Sequence, residues 1–94
     1  MNISGDILRV QSQNQDFNVK LFPNPTKDNL NIKLDNRFQN IKIFIVDNLG
    51  RTVKTENFKN IQSISLDMSA LSKATYLIKI VADQNEITKK VIVY

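Results

Sequence analysis

Ile41-Lys42-Ile43-Phe44-Ile45-Val46-Asp47-Asn48-Leu49-Gly50 reads as a strand followed by the turn that ends it. Ile41, Ile43 and Ile45 share one side, Phe44 and Val46 the other, and Lys42 is the lone polar interruption. β-Branched and aromatic residues on both sides of a period-two segment mark a central strand. Asp47-Asn48-Leu49-Gly50 suits a type I turn followed by a glycine in the left-handed region and a bulge, which folds the next strand back as a hairpin.

Upstream of this strand, Leu30, Ile32 and Leu34 alternate with Asn29, Asn31 and Lys33, the pattern of an antiparallel strand with one buried and one wet face. Phe17, Val19 and Leu21 alternate with Asn18 and Lys20 in the same way. Pro23-Asn24-Pro25 separates the two. Each proline holds the residue before it, Phe22 or Asn24, out of the α region and withholds an N–H from any ladder, so the chain stiffens and leaves the sheet. Thr26 and Asp28 can then hydrogen-bond nearby backbone and turn the chain into the strand beginning near Asn29.

Downstream, Arg51 to Phe58, a short strand marked by Ile64 and Leu66, Tyr76 to Val81, and Ile87 to Tyr94 continue the β reading. Asp67 and Ser69 favour a tight turn, and Leu71 plugs the core. Tyr76 then stands where immunoglobulin-like sandwiches carry a tyrosine corner, a buried ring whose hydroxyl bonds to backbone a few residues upstream. No segment sustains a helical period with caps. The predicted fold is therefore all-β, an immunoglobulin-like antiparallel β-sandwich of about seven strands spanning residues 17–94. Residues 1–16, rich in Gln, Asn and Ser around the short apolar group Ile7, Leu8 and Val10, read as a linker or weakly ordered N-terminal segment.

At 94 residues the chain suffices for one core and is too short for two. It contains neither cysteine nor histidine, which excludes a disulfide framework and thiolate zinc sites and removes the commonest acid–base group near neutral pH. Glycine occurs only at Gly5 and Gly50, so there is no glycine-rich phosphate cradle. Asp35, Asp47, Asp67 and Asp83 offer the raw material for paired carboxylates or a calcium site, yet each stands at a strand end or turn where Asp bonds to backbone. Nor does any loop alternate ligands as densely as calcium sites do. No catalytic, cofactor or metal site is expected, and the chain reads as non-enzymatic.

Thirteen Lys and Arg against nine Asp and Glu give a net charge of +4. The charges are scattered, with Lys89-Lys90 the only adjacent basic pair, which describes a solvated surface and not a nucleic-acid tract. Phe44, Phe58, Tyr76 and Tyr94, the aromatics that could stack on bases, occupy positions that look like core. No apolar run approaches a membrane span, and the first residues lack the apolar centre of an export signal.

Leu21-Phe22-Pro23-Asn24-Pro25-Thr26, Asn48-Leu49-Gly50-Arg51-Thr52-Val53, Leu66-Asp67-Met68-Ser69-Ala70-Leu71 and Thr75-Tyr76-Leu77-Ile78-Lys79-Ile80, in that order, closely resemble the C-terminal sorting domain of the type IX (Por) secretion system. The likeness runs from about Val19 to Tyr94, and Thr88-Lys89-Lys90-Val91-Ile92-Val93 is similar to the family's basic-then-apolar terminal strand. The chain departs from the pattern at Ala74, where the family usually has glycine, and at Tyr94, where a basic or polar end is common.

The resemblance implies a secretion signal attached behind an N-terminal cargo domain. The whole protein would carry a Sec signal elsewhere, cross the periplasm, and meet the outer-membrane translocon, a shuttle protein and a surface sortase. The sortase often removes such a domain upstream of Val19 while fixing the cargo to the cell surface, and other members are released. The domain is then substrate and not enzyme. On this reading the translocon recognises the C-terminal strand together with Pro23, Asn24, Pro25, Gly50, Arg51, Lys89 and Lys90, while Tyr76 is structural. Arg51 offers a fixed fork of donors to a carboxylate. Lys89 and Lys90 alternate in direction, so only one is expected to face outward over a buried core. Two readings from other classes compete: an accessory β-sandwich that binds carbohydrate or protein on a secreted enzyme, and a spacer whose sheet edges associate. Sugar platforms usually need exposed aromatics, and this chain has no tryptophan.

Overall fold

Strands account for most of the 17–94 segment that the computed structural model describes. They are β1 (Val19–Phe22), β2 (Asn29–Val46), β3 (Thr52–Asp67), β4 (Ala74–Ala82) and β5 (Asn85–Val93). All strand pairings are antiparallel. β3 follows one edge of β2 from end to end. β1 and β4 share the other edge, β1 beside Asn31–Leu34 and β4 beside Ile41–Val46, and β5 lies outside β4.

The length of β2 makes the sheet curl. Its 18 residues would reach about 60 Å if straight, at roughly 3.3 Å per residue. The longest dimension of the molecule is 51 Å. The bend falls between Lys33 and Phe38, which pair with Ser63 and Ile61, so β2 carries more residues through this stretch than β3 does. Surplus residues on one strand sharpen its twist and redirect it. Across the bend Asn60 adopts φ 55°, a conformation that Asn tolerates, and Arg37 Nη1 donates to its carbonyl at 2.9 Å.

Curling brings the inner faces of the two halves together. Leu30, Ile32, Leu34, Ile64 and Leu66 from one half join Ile41, Ile43, Ile45, Ile78, Ile80 and Val91 from the other in a single buried cluster. Phe17 packs edge-on against Phe38 with ring centroids 5.3 Å apart, sealing the core beside the bend.

The all-β class and antiparallel pairing match the sequence reading, but about seven strands and two immunoglobulin-like sheets are not borne out: among the described residues five strands form one curled sheet. Leu30–Leu34 and Ile41–Val46 looked like separate strands because Asp35-Asn36-Arg37 breaks the apolar alternation. β2 runs through that polar stretch as an irregularity without ladder partners on β3, and its three side chains are exposed at the bend. Arg51–Phe58 and Ile64–Leu66 are likewise parts of one strand, β3. Ile41–Val46 is the central strand expected, paired with β3 on one side and β4 on the other. Its isoleucine face is buried, whereas Phe44 and Val46 are only half-buried. The linker expected over residues 1–16, with Ile7, Leu8 and Val10, lies outside the described residues.

The reversal expected at Gly50 is present. Gly50 has φ 83°, its N–H donates to the Asp47 carbonyl at 3.0 Å, and the Asp47 N–H donates to the Arg51 carbonyl at 2.8 Å. Register then slips as Ile45 pairs with Lys54 but Val46 with Thr52, leaving Val53 as the bulged residue. Ala74, in the family's usual glycine position, is an ordinary strand residue paired with Val93 and lies outside the left-handed region.

Candidate functional site

The residues singled out for recognition gather at one end of the sheet, and the register shows why. Val46 at the end of β2 pairs with Leu77 of β4, and Leu77 pairs with Lys90 of β5. The Asp47–Arg51 turn, which follows β2, and residues 91–94, which close β5 and follow it, therefore lie at the same end. They are separated laterally by two strand spacings, about 10 Å.

Pro23-Asn24-Pro25 joins this end through β5. The prolines lead the chain out of β1, and the segment then lies against the outer edge of β5. Asn24 Nδ2 donates to the Lys90 carbonyl at 3.1 Å, and the Ile92 N–H donates to Asn24 Oδ1 at 3.2 Å. One side-chain amide thus satisfies two backbone groups, as a neighbouring strand would. Thr26 extends the match with its backbone: its N–H donates to the Ile92 carbonyl at 2.8 Å, and the Tyr94 N–H donates to its carbonyl at 3.0 Å. Thr26 is fully buried, and its hydroxyl donates to the Asn29 carbonyl, so no polar atom of its side chain is left unpaired. Sequence reading assigned Thr26 to the local turn but did not see its bonds to β5, because a single threonine carries no signal of a partner 66 residues away.

Gly50 and Arg51 form the second part of the end. Asp47 Oδ1 accepts the N–H groups of Leu49 and Arg51 at 2.9 Å each, and Arg51 Nε donates to Asp47 Oδ2 at 2.9 Å. The Arg51 N–H holds the Asp47 carboxyl below its ordinary value, with burial opposing and the Leu49 N–H and Arg51 guanidinium assisting. Arg51 is committed to Asp47 through Nε alone, and its side chain is 71% exposed, so the fork remains open to solvent.

Lys89 and Lys90 lie on opposite faces, as expected, and both are exposed. Lys89 shares a face with Ile87, Val91 and Val93, but β5 is an outer strand and a lysine stem can lie along apolar surface while its ammonium reaches water. Lys89 stands apart from Lys90 and the proline segment in the direction it faces. The Tyr76 ring is buried, and its hydroxyl donates to the Ser72 carbonyl four residues upstream at 2.7 Å. That bond ties the start of β4 to the turn before it. In the same turn Asp67 Oδ1 accepts from the Ser69 hydroxyl at 2.6 Å and its N–H at 3.0 Å, and these bonds, the hydroxyl first, keep the carboxyl below its usual value against the cost of burial. Met68 between them is fully buried, a core residue that sequence reading passed over because it stands outside any alternating run.

The other carboxylates are also occupied by backbone. Asp35 Oδ2 accepts the Asn18 N–H at 3.0 Å, and Asp83 Oδ1 accepts the Asn40 N–H at 3.0 Å. These bonds pin chain segments far apart in sequence, where only local turn bonding was expected. Among the described residues no group of three or more His, Cys, Asp or Glu side chains is placed to hold a metal ion. No described helix is long and apolar enough to cross a membrane.

A search of curated proteins returned no match. A family model described as the secretion system C-terminal sorting domain matches residues 20–94, which takes in the five strands from the second residue of β1 onward and the whole sheet end described above. The chain belongs to the type IX secretion C-terminal sorting domain family.

Proposed function

We propose that this domain is the address of an exported cargo and that the type IX outer-membrane translocon reads it at the sheet end built from Pro23-Asn24-Pro25, Gly50-Arg51 and the close of β5 with Lys89 and Lys90. Family membership supports a C-terminal sorting signal. The observation that carries the finer reading is the convergence of the proline segment, the β2–β3 turn and the C-terminal strand. Three stretches distant in sequence form one surface only when the domain is folded, so the address is a folded shape and not a linear tag.

In this scheme the cargo precedes the domain, crosses the periplasm and is handed to the translocon, with the shuttle protein and surface sortase acting afterwards. Cleavage upstream of Val19 would leave the curled sheet intact, since Val19 begins β1. The cargo then stays on the surface or enters the medium. Arg51 presents donors to an acidic group, and Lys90 adds charge beside it.

The test fuses the whole 94-residue chain behind a periplasmic reporter in a host with the translocon. The unaltered fusion is expected at the surface or in the medium. Arg51→Ala and Lys90→Ala are each expected to lower the exported fraction while leaving the thermal midpoint unchanged, because both side chains are exposed. Retention of the unaltered fusion in the periplasm would sink the assignment, and normal export of both variants would remove these residues from the recognised surface.

A further inference from the structure

The half of the sheet that contains β4 and β5 has an outer face unlike that of a one-sided antiparallel sheet. Such a face is normally polar. The other half is more polar, with Lys20, Lys33 and Ser63 side by side across β1, β2 and β3 and Asn31 and Ser65 in the next row, where Phe22 is the one large apolar side chain. Here, instead, Val46 pairs with Leu77, Phe44 stands one row away, and Ile92 follows on β5. Leu77 and Ile92 are each 43% exposed, and Phe44 and Val46 are half-buried. β2 and β4 thus have the composition of strands covered on both sides and a structure that covers one.

Positive charge frames this apolar centre. The ammonium groups of Lys42 and Lys79 lie 5.9 and 5.7 Å from the Phe44 ring centroid, within cation–π range. Lys90 stands beside Leu77. The opposing carboxylate is Glu86, 3.4 Å from Lys79. We propose that this face docks a protein partner whose contact surface has an apolar middle and a rim of carboxylates, and, resting on the sorting function above, that the partner is a component of the export machinery. A second copy of the chain is the wrong occupant, because stacking this face on itself sets lysines against lysines. A bilayer is disfavoured too. Sinking Phe44 into acyl chains would carry the ammonium groups of Lys42 and Lys79 down with it.

The experiment compares two matched double charge reversals in the whole chain fused to a periplasmic reporter: K42E/K79E on this face and K20E/K33E on the outer face of the other half. The first is expected to lower the exported fraction roughly tenfold or more, the second to leave it unchanged. A photocrosslinking residue at position 77 is expected to trap an outer-membrane component of the export machinery, the adduct disappearing in the K42E/K79E background, and one at position 63 to trap none. Leu77→Ser, at an already exposed site, gives an independent reading should the charge reversals disturb folding, and it is expected to reduce both export and crosslinking. Wild-type export by K42E/K79E and Leu77→Ser, equal loss by the two double variants, or equal crosslinking from positions 77 and 63 would overturn the docking face while leaving the sorting function standing. Binding of the purified chain to phosphatidylethanolamine–phosphatidylglycerol vesicles, lost in K42E/K79E, would overturn the protein partner in favour of a membrane. Failure of the unaltered fusion to leave the periplasm would overturn the sorting function itself, and the docking proposal with it.

Discussion

Tyr76 shows how much one atom contributes. Its ring is buried and its hydroxyl is committed to the Ser72 carbonyl. Tyr76→Phe keeps the ring and deletes the bond, so urea unfolding is expected to show a loss of about 1 kcal/mol with an unchanged slope. An equal midpoint for the two proteins would mean the bond contributes nothing. Gly50 separates backbone from packing in a different way. A Cβ there would meet nothing within 4 Å, so any cost of Gly50→Ala arises from φ 83° alone, about 1–2 kcal/mol. Asn, which tolerates this region, is expected to cost less than Ala, and the order of the two thermal midpoints checks the cause. Asp47 and Asp67 have carboxyls held below their ordinary values, so the folded state favours their charged forms. Their stabilisation is complete above the unfolded-state value near 3.8 and fades as pH falls through the lower folded values. Asp47→Asn is expected to lower the thermal midpoint at neutral pH and to flatten its decline below about pH 4, which melts across that range would reveal.

Each strand of the sheet holds an apolar alternation that was legible in the sequence, because burial on one face of a strand dictates period two. The Gly50 turn was legible too, since its residue types satisfy a specific geometry. Strand continuity was not: Asp35-Asn36-Arg37 looks the same whether one strand ends and another begins or a single strand bulges, and only the partner strand decides. Nor was the attachment of the proline segment to β5. Prolines at 23 and 25 announce that the chain leaves β1, and nothing local says that Asn24 will imitate a peptide group for an edge distant in sequence. The residues proposed for recognition were singled out mainly through likeness to a family, and their gathering at one end shows only through register. The Asn24 contact carries its own prediction. Asn24→Ala removes the partner of the Ile92 N–H, so that amide is expected to exchange faster with solvent while amides of β4 keep their protection. Asn24→Asp keeps the acceptor for Ile92 and loses the donor to Lys90, and is expected to retain more of the protection. Unchanged exchange at Ile92 in Asn24→Ala would show that the Thr26 backbone holds the edge unaided.

The C-terminal strand belongs to the core as well as to the proposed address, which matters for any domain this small. Val91 is fully buried and Val93 nearly so, and burying a valine side chain is worth about 1.5–3 kcal/mol. Removing residues 91–94 therefore forfeits about 3–6 kcal/mol of apolar burial, and also the bonds from Thr26 and Asn24 to Ile92 and from Tyr94 to Thr26, out of a total stability of about 5–15 kcal/mol. The shortened chain is expected to lose its cooperative thermal transition by circular dichroism. Deleting Tyr94 alone removes a side chain that is 58% exposed and one backbone bond, and should keep the transition with a modestly lower midpoint. The pair separates two causes that an export assay alone confuses. If the shorter deletion folds but stays in the periplasm, the last residue is read directly by the machinery. If it folds and is exported while the longer deletion does neither, the end of the chain acts by holding the sheet end in shape. A cooperative transition in the chain lacking residues 91–94 would show that β5 is dispensable to the core, contrary to the burial of its valines.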